Sequence, residues 1–196
     1  MIKIALTGGI ACGKSLVGEI MARAGIPICE TDDIGHAVME QDASVKTSLV
    51  KAFGIGIIGP DGGIDRSILG QLVFEDPGKR ATLNALTHPA ILRRLEEWVT
   101  AQAATADRVA AIIPLLYEIG AEKAWDVVIC VAAQETDQLR RLMERGHSPE
   151  DAHARIGAQM SLSAKMERAD YVIYNCDGKA LLEEQVNQVL RSIRGD

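Results

Sequence analysis

A glycine-rich loop near the start of the chain is the feature that most constrains its fold. Residues 8–15 read Gly-Gly-Ile-Ala-Cys-Gly-Lys-Ser and follow an apolar stretch at residues 2–7. The pattern G-x-x-x-x-G-K-S between a strand and a helix is typical of loops that wrap nucleotide phosphates. Glycines permit the tight turn that points backbone N–H groups at an anion, and the next helix directs its positive end there too. The loop therefore predicts a nucleotide-phosphate site.

Two side chains of this loop have specific chemical roles in the prediction. Lys14 is expected to reach the β- and γ-phosphates, and the Ser15 hydroxyl is expected to help hold Mg²⁺. The alternative is a glycine-rich turn that matches the pattern by chance, which the flanking strand and helix patterns disfavour.

Apolar runs separated by helical patterns predict an α/β fold for a single domain covering residues 1–196. Continuous apolar runs are typical of strands buried on both faces of a parallel sheet. The predicted strands lie at residues 2–7, 26–29, 109–113, 127–131 and 171–174. With helices between them, these strands predict a three-layer α/β architecture.

Capping residues and prolines predict where several helices begin and end. Asp65 and Ser148 are expected to cap helices, and Gly146 is expected to end one. Pro77 and Pro89 are each expected to begin a helix, because proline is favoured in the first turn. The resulting helices form a helical insertion at about residues 60–104 and a lid region at about residues 138–165.

Composition excludes several classes of protein. The net charge of −6 argues against a broad surface for nucleic acid or an acidic membrane. No apolar run has the length of a membrane span, and the N-terminus enters a strand without room for a signal peptide. The four cysteines form no C-x-x-C pair, which favours a reduced, cytoplasmic setting. Cys12, inside the loop, is expected to be more accessible than Cys29, Cys130 and Cys176.

Acidic residues follow the second predicted strand as Glu30-Thr31-Asp32-Asp33. The carboxyl ends of parallel strands share one edge of the sheet, so this segment is expected near the glycine-rich loop. A carboxylate there can orient an acceptor hydroxyl and take its proton, or help position Mg²⁺. Helix capping is the alternative for either aspartate, and Asp32 is the favoured functional residue.

Arginines cluster late in the chain and can neutralise a transferring phosphoryl group. Arg141 and Arg145 are one helical turn apart and are expected to share a face. A solvated surface is the alternative, with pairing such as Glu144 to Arg145. The following Gly146-His147-Ser148-Pro149 predicts a hinge for a lid that excludes water. The whole set comprises Arg140, Arg141, Arg145, Arg155 and Arg168.

Several separated segments together resemble the dephospho-CoA kinase family, in order and over nearly the full length. The His-Pro and Pro-Leu-Leu segments are more particular to this family than the loop is. The segments are Leu6-Thr7-Gly8-Gly9-Ile10, Gly13-Lys14-Ser15, Thr31-Asp32-Asp33, Asp61-Gly62-Gly63-Ile64-Asp65-Arg66, Val73-Phe74, Leu83-Asn84-Ala85-Leu86-Thr87-His88-Pro89, Pro114-Leu115-Leu116-Tyr117-Glu118, Gln138-Leu139-Arg140-Arg141-Leu142-Met143 with Arg145, Gln159, and Ala169-Asp170-Tyr171-Val172-Ile173-Tyr174-Asn175.

The resemblance implies a cytoplasmic P-loop kinase, with a monomer favoured, that uses ATP and Mg²⁺. It would transfer the γ-phosphate of ATP to the ribose 3′-hydroxyl of dephospho-CoA and so complete coenzyme A. Asp32 would be the base, with Lys14 and Arg141 as catalytic cations and Ser15 as metal ligand. The implied ATP-binding residues are Ala11, Cys12, Gly13, Lys14, Ser15, Leu16, Arg141 and Asn175. The implied acceptor-binding residues are Thr7, Asp32, His88, Pro114, Leu115 and Leu116.

The chain departs from the family pattern within the loop. The family commonly has Gly-Ser where this chain has Ala11-Cys12, and threonine where it has Leu16. Ala11 would be strained if its position needs a positive φ, and Leu16 lacks a hydroxyl near the α-phosphate. Glu30 replaces a shorter acid, and its role is open.

Two other functions are compatible with the loop. One is a kinase for another small acceptor, such as a nucleoside or nucleoside monophosphate. The other is a nucleotide-binding regulatory module, although a guanine-reading Asn-Lys-x-Asp motif is absent from the sequence.

Overall fold

The computed structural model describes residues 1–74, 76–176 and 178–194, and the chain divides into two compact units. The first unit comprises Met1–Glu30 and Gln102–Asp196, and the second comprises Thr31–Ala101. The first unit holds the sheet, whereas the second is built mainly from helices.

A five-stranded parallel sheet forms the first unit, in the order β2-β3-β1-β4-β5. The central strand pairs Leu6 with Ile112 on one side and with Ile129 on the other. All five predicted strands are therefore confirmed, with the parallel arrangement. Their bounds are β1 Ile2–Gly8, β2 Ile28–Glu30, β3 Arg108–Ile112, β4 Val127–Ala132 and β5 Tyr171–Tyr174.

α-Helices lie in three of the four connections between successive strands, and the connection from β3 to β4 contains a 3-10 turn instead. The bounds of the helices are α1 Lys14–Arg23, α2 Thr31–Gln41, α3 Ala43–Phe53, α4 Arg66–Phe74, α5 Pro77–Gln102, α6 Glu135–Glu144, α7 Pro149–Gly157, α8 Leu162–Arg168 and α9 Lys179–Arg194. Single 3-10 turns lie at Ile55–Ile57 and Glu122–Ala124.

The core of the first unit joins the sheet to α1 and α9. Val17 and Met21 of α1 and Leu182 of α9 are buried in one cluster with strand residues such as Leu6 and Ile129. These helical residues recur at helical spacing, so each helix presents an apolar stripe to the cluster. Aliphatic packing holds β1 rigidly, and β1 leads directly into the glycine-rich loop.

The predicted caps are confirmed. Asp65 Oδ1 accepts from the Ser67 and Ile68 backbone N–H groups at 2.9 and 3.1 Å, and α4 follows. Ser148 Oγ accepts from the Asp151 N–H at 3.1 Å at the start of α7. Gly146 has φ +91°, which suits the residue after a helix end.

The prediction that Pro89 begins a helix is wrong. One helix, α5, runs from Pro77 to Gln102 and contains Pro89 in its interior. An interior proline removes one backbone hydrogen bond at a cost of about 3 kcal/mol. Leu86 and Ala90, on either side of Pro89, pack into the same cluster, and this packing offsets the loss.

Helices α2 to α5 form the second unit around their own apolar cluster, which includes Val38, Leu49 and Leu69. Helix α3 was not predicted from the sequence. It begins after Asp42, whose Oδ1 accepts from the Ser44 and Val45 N–H groups at 3.0 and 3.2 Å. The expected insertion at about residues 60–104 overlaps this unit, which starts earlier in the chain.

Among the helices within the described residues, none combines the length and the apolar character needed to cross a membrane.

Candidate active site

The glycine-rich loop closes tightly between β1 and α1. Gly8 has φ +140°, and a Cβ added there would lie 2.1 Å from the Val131 carbonyl oxygen. Gly13 has φ +96°, and its added Cβ would lie 2.2 Å from Asn175 Nδ2. Both positions therefore require glycine for space as well as for backbone conformation.

Ala11 adopts φ +57°, and it is the only non-glycine residue with a positive φ among those described. The left-handed region crowds a Cβ against the following carbonyl and costs about 1–2 kcal/mol. Ala11 therefore has the positive φ that the sequence analysis gave as the condition for strain at this position. The Ala11 methyl is nevertheless buried beside Leu142 and Ala152, and this burial offsets part of the cost.

We expect Ala11→Gly to leave the free energy of unfolding nearly unchanged. Relief of about 1–2 kcal/mol of strain is opposed by about 0.8 kcal/mol of lost methyl burial and about 0.4–1 kcal/mol of added unfolded-state entropy. Ala22→Gly, at an exposed position of α1, is the matched control and should cost about 1 kcal/mol, or about 2–4 °C in Tm. Thermal unfolding compares the two. A larger loss at Ala11 than at Ala22 would mean that Ala11 is not strained.

Lys14 directs its ammonium back across the loop. Its Nζ donates to the carbonyl oxygens of Gly8 at 3.2 Å and of Gly9 at 2.9 Å. These two bonds hold the positively charged end of the side chain over the loop. Lys14 also begins α1, whose N-terminal N–H groups favour an anion in the same region.

Ser15 lies in the first turn of α1 and is exposed. Its Oγ donates to Glu30 Oε2 at 3.4 Å. Glu30 ends β2, so this contact joins the loop helix to the next acidic segment of the chain. The role of Glu30 was open from the sequence, and the structure brings its carboxylate beside the predicted metal ligand.

Arg141 and Asn175 tie the loop to its surroundings. Arg141 Nη1 donates to the Ala11 carbonyl at 2.9 Å, and its Nη2 donates to the Asn175 carbonyl at 3.1 Å. Asn175 Nδ2 in turn donates to the Cys12 carbonyl at 2.9 Å. Two loop carbonyls are thus engaged by side chains from α6 and from the end of β5, which fixes the loop backbone.

The other predicted arginines have different surroundings. Arg140 pairs with Asp137 and Glu144, so the pairing suggested for Glu144 with Arg145 is replaced by one with Arg140. Arg145 is exposed. Two more arginines pair with carboxylates, Arg155 with Asp151 at 3.0 Å and Arg168 with Glu122 at 2.6 Å.

The expectation that Cys12 is the more accessible cysteine is wrong. Its side chain is fully buried in the core of the first unit, whereas Cys29 and Cys176 are only partly buried. Burial raises the pKa of the Cys12 thiol, because a thiolate is poorly solvated there. The loop directs this side chain inward, into the core cluster. Leu16 likewise packs against the core.

The predicted acceptor residues of the first unit lie around the end of β3. Thr7 is fully buried, and its Oγ1 donates to the Pro114 carbonyl at 3.4 Å. Leu116 is also fully buried, whereas Pro114 and Leu115 are partly exposed.

Sequence reasoning missed Lys165 and assigned no role to Gln138 and Gln159. Lys165 is fully buried, and its Nζ donates to the Pro114 carbonyl at 2.7 Å. Gln159 Oε1 accepts from the Ile10 N–H at 3.1 Å. These glutamines, with Gly9 and Ile10, help line a cavity of about 370 Å³ beside the loop. No local pattern marks Lys165 or Gln159, since their partners lie 51 and 149 positions away in the sequence.

Asp32, Asp33 and His88 belong to the second unit. Asp32 and Asp33 are exposed in the first turn of α2, where negative charge is favourable. His88 is half-buried in α5, and burial lowers the pKa of its imidazole, which favours the neutral form. Of the predicted site residues, the first unit places four at the glycine-rich loop and the start of α1, namely Lys14, Ser15, Arg141 and Asn175.

Comparison with known proteins gives a consistent result. A sequence model of the dephospho-CoA kinase family matches residues 2–180. A dephospho-CoA kinase from Anaeromyxobacter dehalogenans is 37% identical over 194 residues, covering 98% of this chain and 92% of that protein. Among solved structures, a Thermus thermophilus protein, TT1252, superposes with a TM-score of 0.85 at 32% identity, over 97% of this chain and 96% of that one. A dephospho-CoA kinase from Campylobacter jejuni gives a TM-score of 0.73 at 28% identity, with the same coverage.

Proposed function

This chain belongs to the dephospho-CoA kinase family, which catalyses the last step of coenzyme A biosynthesis, and we propose which of its residues perform that step. The reaction transfers the γ-phosphate of ATP to the ribose 3′-hydroxyl of dephospho-CoA. The observation that carries the assignment of residues is the loop, in which positive φ angles, the Lys14 ammonium bonded to the Gly8 and Gly9 carbonyls and a helix N-terminus together suit a bound triphosphate.

We propose that residues 11–16, with Asn175 and Arg141, hold ATP. The Lys14 ammonium would contact the β- and γ-phosphates, and Asn175 would lie near the adenine. Support comes from the two carbonyls that hold Nζ over the loop and from the bond of Asn175 Nδ2 to the Cys12 carbonyl. Arg141, anchored on the Ala11 carbonyl, would add positive charge where the phosphoryl group is transferred.

Ser15 and Glu30 fit the requirements of Mg²⁺. In kinases this ion is held by one or two protein oxygens, by water and by substrate phosphates. Among the described residues, no group of three or more His, Cys, Asp or Glu side chains is arranged to hold a metal. The 3.4 Å contact between the Ser15 hydroxyl and Glu30 Oε2 supplies two hard oxygen donors, which supports this proposal. The ion, when bound, neutralises charge on the phosphates.

Asp32 is the proposed base. A carboxylate can accept the proton of the 3′-hydroxyl as that oxygen attacks phosphorus. Asp32 is exposed and follows Glu30 by only two residues, and the Glu30 carboxylate contacts Ser15. Exposure leaves the Asp32 carboxylate accessible to an acceptor, and this accessibility supports the assignment.

The acceptor is proposed to contact Thr7, His88 and the segment at residues 114–118. We call residues 114–118 the acceptor segment.

We further propose that the region at residues 138–165 acts as a lid and that Gly146, with φ +91°, serves as its hinge. Exclusion of water by this lid would prevent hydrolysis of ATP.

Coupled ADP release tests the function directly. Purified protein with Mg·ATP should release ADP rapidly only when dephospho-CoA is added, and mass spectrometry should detect coenzyme A. Adenosine and adenosine monophosphate serve as competing acceptors. Equal or faster turnover with either of them would assign the chain to another acceptor.

A further inference from the structure

Lys165 is a charged side chain with no access to solvent. It lies in α8 and is among the largest fully buried side chains of the described residues. A buried ammonium is costly unless hydrogen bonds and an opposite charge compensate it. Lys165 Nζ donates to the Pro114 carbonyl at 2.7 Å and to Glu118 Oε1 at 2.8 Å. These two oxygens stand at the two ends of the acceptor segment.

The same two oxygens accept further bonds from outside the segment. The Pro114 carbonyl also accepts from Thr7 Oγ1 at 3.4 Å, at the end of β1. Glu118 Oε1 also accepts from the Met160 N–H at 2.9 Å, just before α8. The Lys165 ammonium therefore joins β1, the acceptor segment and the chain leading into α8 through one hydrogen-bond network, which extends from the buried ammonium to the exposed residue Glu118. A network of this kind holds its backbone in a single arrangement when every member is satisfied.

Arg168 reinforces this arrangement one turn later on α8. Its guanidinium carbon lies 4.2 Å from the centroid of the Tyr117 ring, and its Nη2 contacts Glu122 Oε1 at 2.6 Å. Tyr117 belongs to the acceptor segment and is buried. Two cations of one short helix thus contact this segment, while Lys14 holds the phosphate loop separately.

We propose that Lys165 is a positioning residue for the acceptor, because its ammonium holds the Pro114 carbonyl and the Glu118 carboxylate at the two ends of the acceptor segment. This inference rests on the proposed function, in which residues 114–118 contact dephospho-CoA. The oxygens that accept from Lys165 belong to the acceptor segment and not to the phosphate loop. Loss of the ammonium should therefore weaken binding of the acceptor selectively, leaving the ATP site intact.

Lys165→Met tests this selectivity, because methionine keeps an unbranched apolar stem and removes the charge and the donors. We expect KM and Kd for dephospho-CoA to rise about 10-fold or more, with Kd for ATP changed by less than about 2-fold. Steady-state kinetics give KM and kcat for each substrate, and calorimetry gives each Kd. Lys123→Met, at an exposed lysine, is the matched control and should leave all constants unchanged.

Glu118→Gln provides a second test should Lys165→Met fail to fold. The amide keeps an oxygen acceptor but removes the counter-charge, so we expect a smaller selective rise in the acceptor KM, about 3-fold. An unchanged acceptor KM, or an equal rise for both substrates, overturns the inference. If the wild-type protein neither binds nor phosphorylates dephospho-CoA, the proposed function is wrong as well. The two failures are distinguishable, because the inference is tested on the variants and the proposed function on the wild-type protein.

Discussion

Lys14→Ala is expected to lower kcat/KM by about 10³-fold or more. The ammonium is held over the loop by the Gly8 and Gly9 carbonyls. In the proposed mechanism, that charge would stabilise the phosphates most strongly as negative charge shifts between them during transfer. The loop N–H groups and the α1 N-terminus remain in the variant, so ATP binding should fall less than kcat.

Steady-state kinetics with dephospho-CoA and Mg·ATP measure this loss, and calorimetry measures ATP binding. Lys123→Ala removes an exposed lysine and should retain wild-type rates. Thermal unfolding should show that both variants are folded. A loss smaller than about 10-fold for Lys14→Ala would remove this side chain from the phosphate contacts.

Asp32→Asn should lower kcat by about 10²–10⁴-fold while ATP affinity stays within about 2-fold of wild type. The amide preserves size and can still accept a hydrogen bond from the acceptor, but it cannot take up the proton. Because the interaction is made in the transition state, the loss should fall on kcat rather than on Kd. Single-turnover rates at saturating substrates measure the chemical step directly.

Asp33→Asn is the matched control for Asp32→Asn. Both aspartates are exposed in the first turn of α2, so either substitution removes one favourable helix-dipole interaction of about 0.3–1 kcal/mol. If the two variants show similar changes in Tm but very different kcat values, the loss of kcat in Asp32→Asn comes from the chemical step and not from a loss of stability. Near-normal turnover in Asp32→Asn would remove the base assignment, and a larger loss at Asp33 would transfer it there.

Local signals explain the parts of the fold that could be predicted. Asp65 and Ser148 bond to N–H groups two or three residues ahead, so a short stretch of sequence contains the whole interaction. The strands were likewise visible as apolar runs, because both faces of a parallel sheet are buried. Helix α8 was missed because seven residues are too few to show helical periodicity.

Distant partners explain what could not be predicted in the site. The bond between Arg141 and the Ala11 carbonyl joins residues 130 positions apart. Lys165 and the Pro114 carbonyl are 51 positions apart, and lysine is ordinarily a surface residue. The loop motif located Lys14 and Ser15, but only the fold shows which side chains hold the loop. The burial of Cys12 also follows from the inward turn of its side chain, which no motif specifies.

That buried cysteine matters for an enzyme whose acceptor and product both carry a free thiol. Disulfides of such molecules exchange with protein thiolates and leave a mixed disulfide on the protein. An adduct of this size on the phosphate loop would block the nucleotide. The Cys12 sulfur is enclosed, and burial raises the pKa of its thiol, so both access to the sulfur and formation of the thiolate that exchange requires are disfavoured. The chain can therefore carry a cysteine in its nucleotide loop while it processes thiol-bearing molecules.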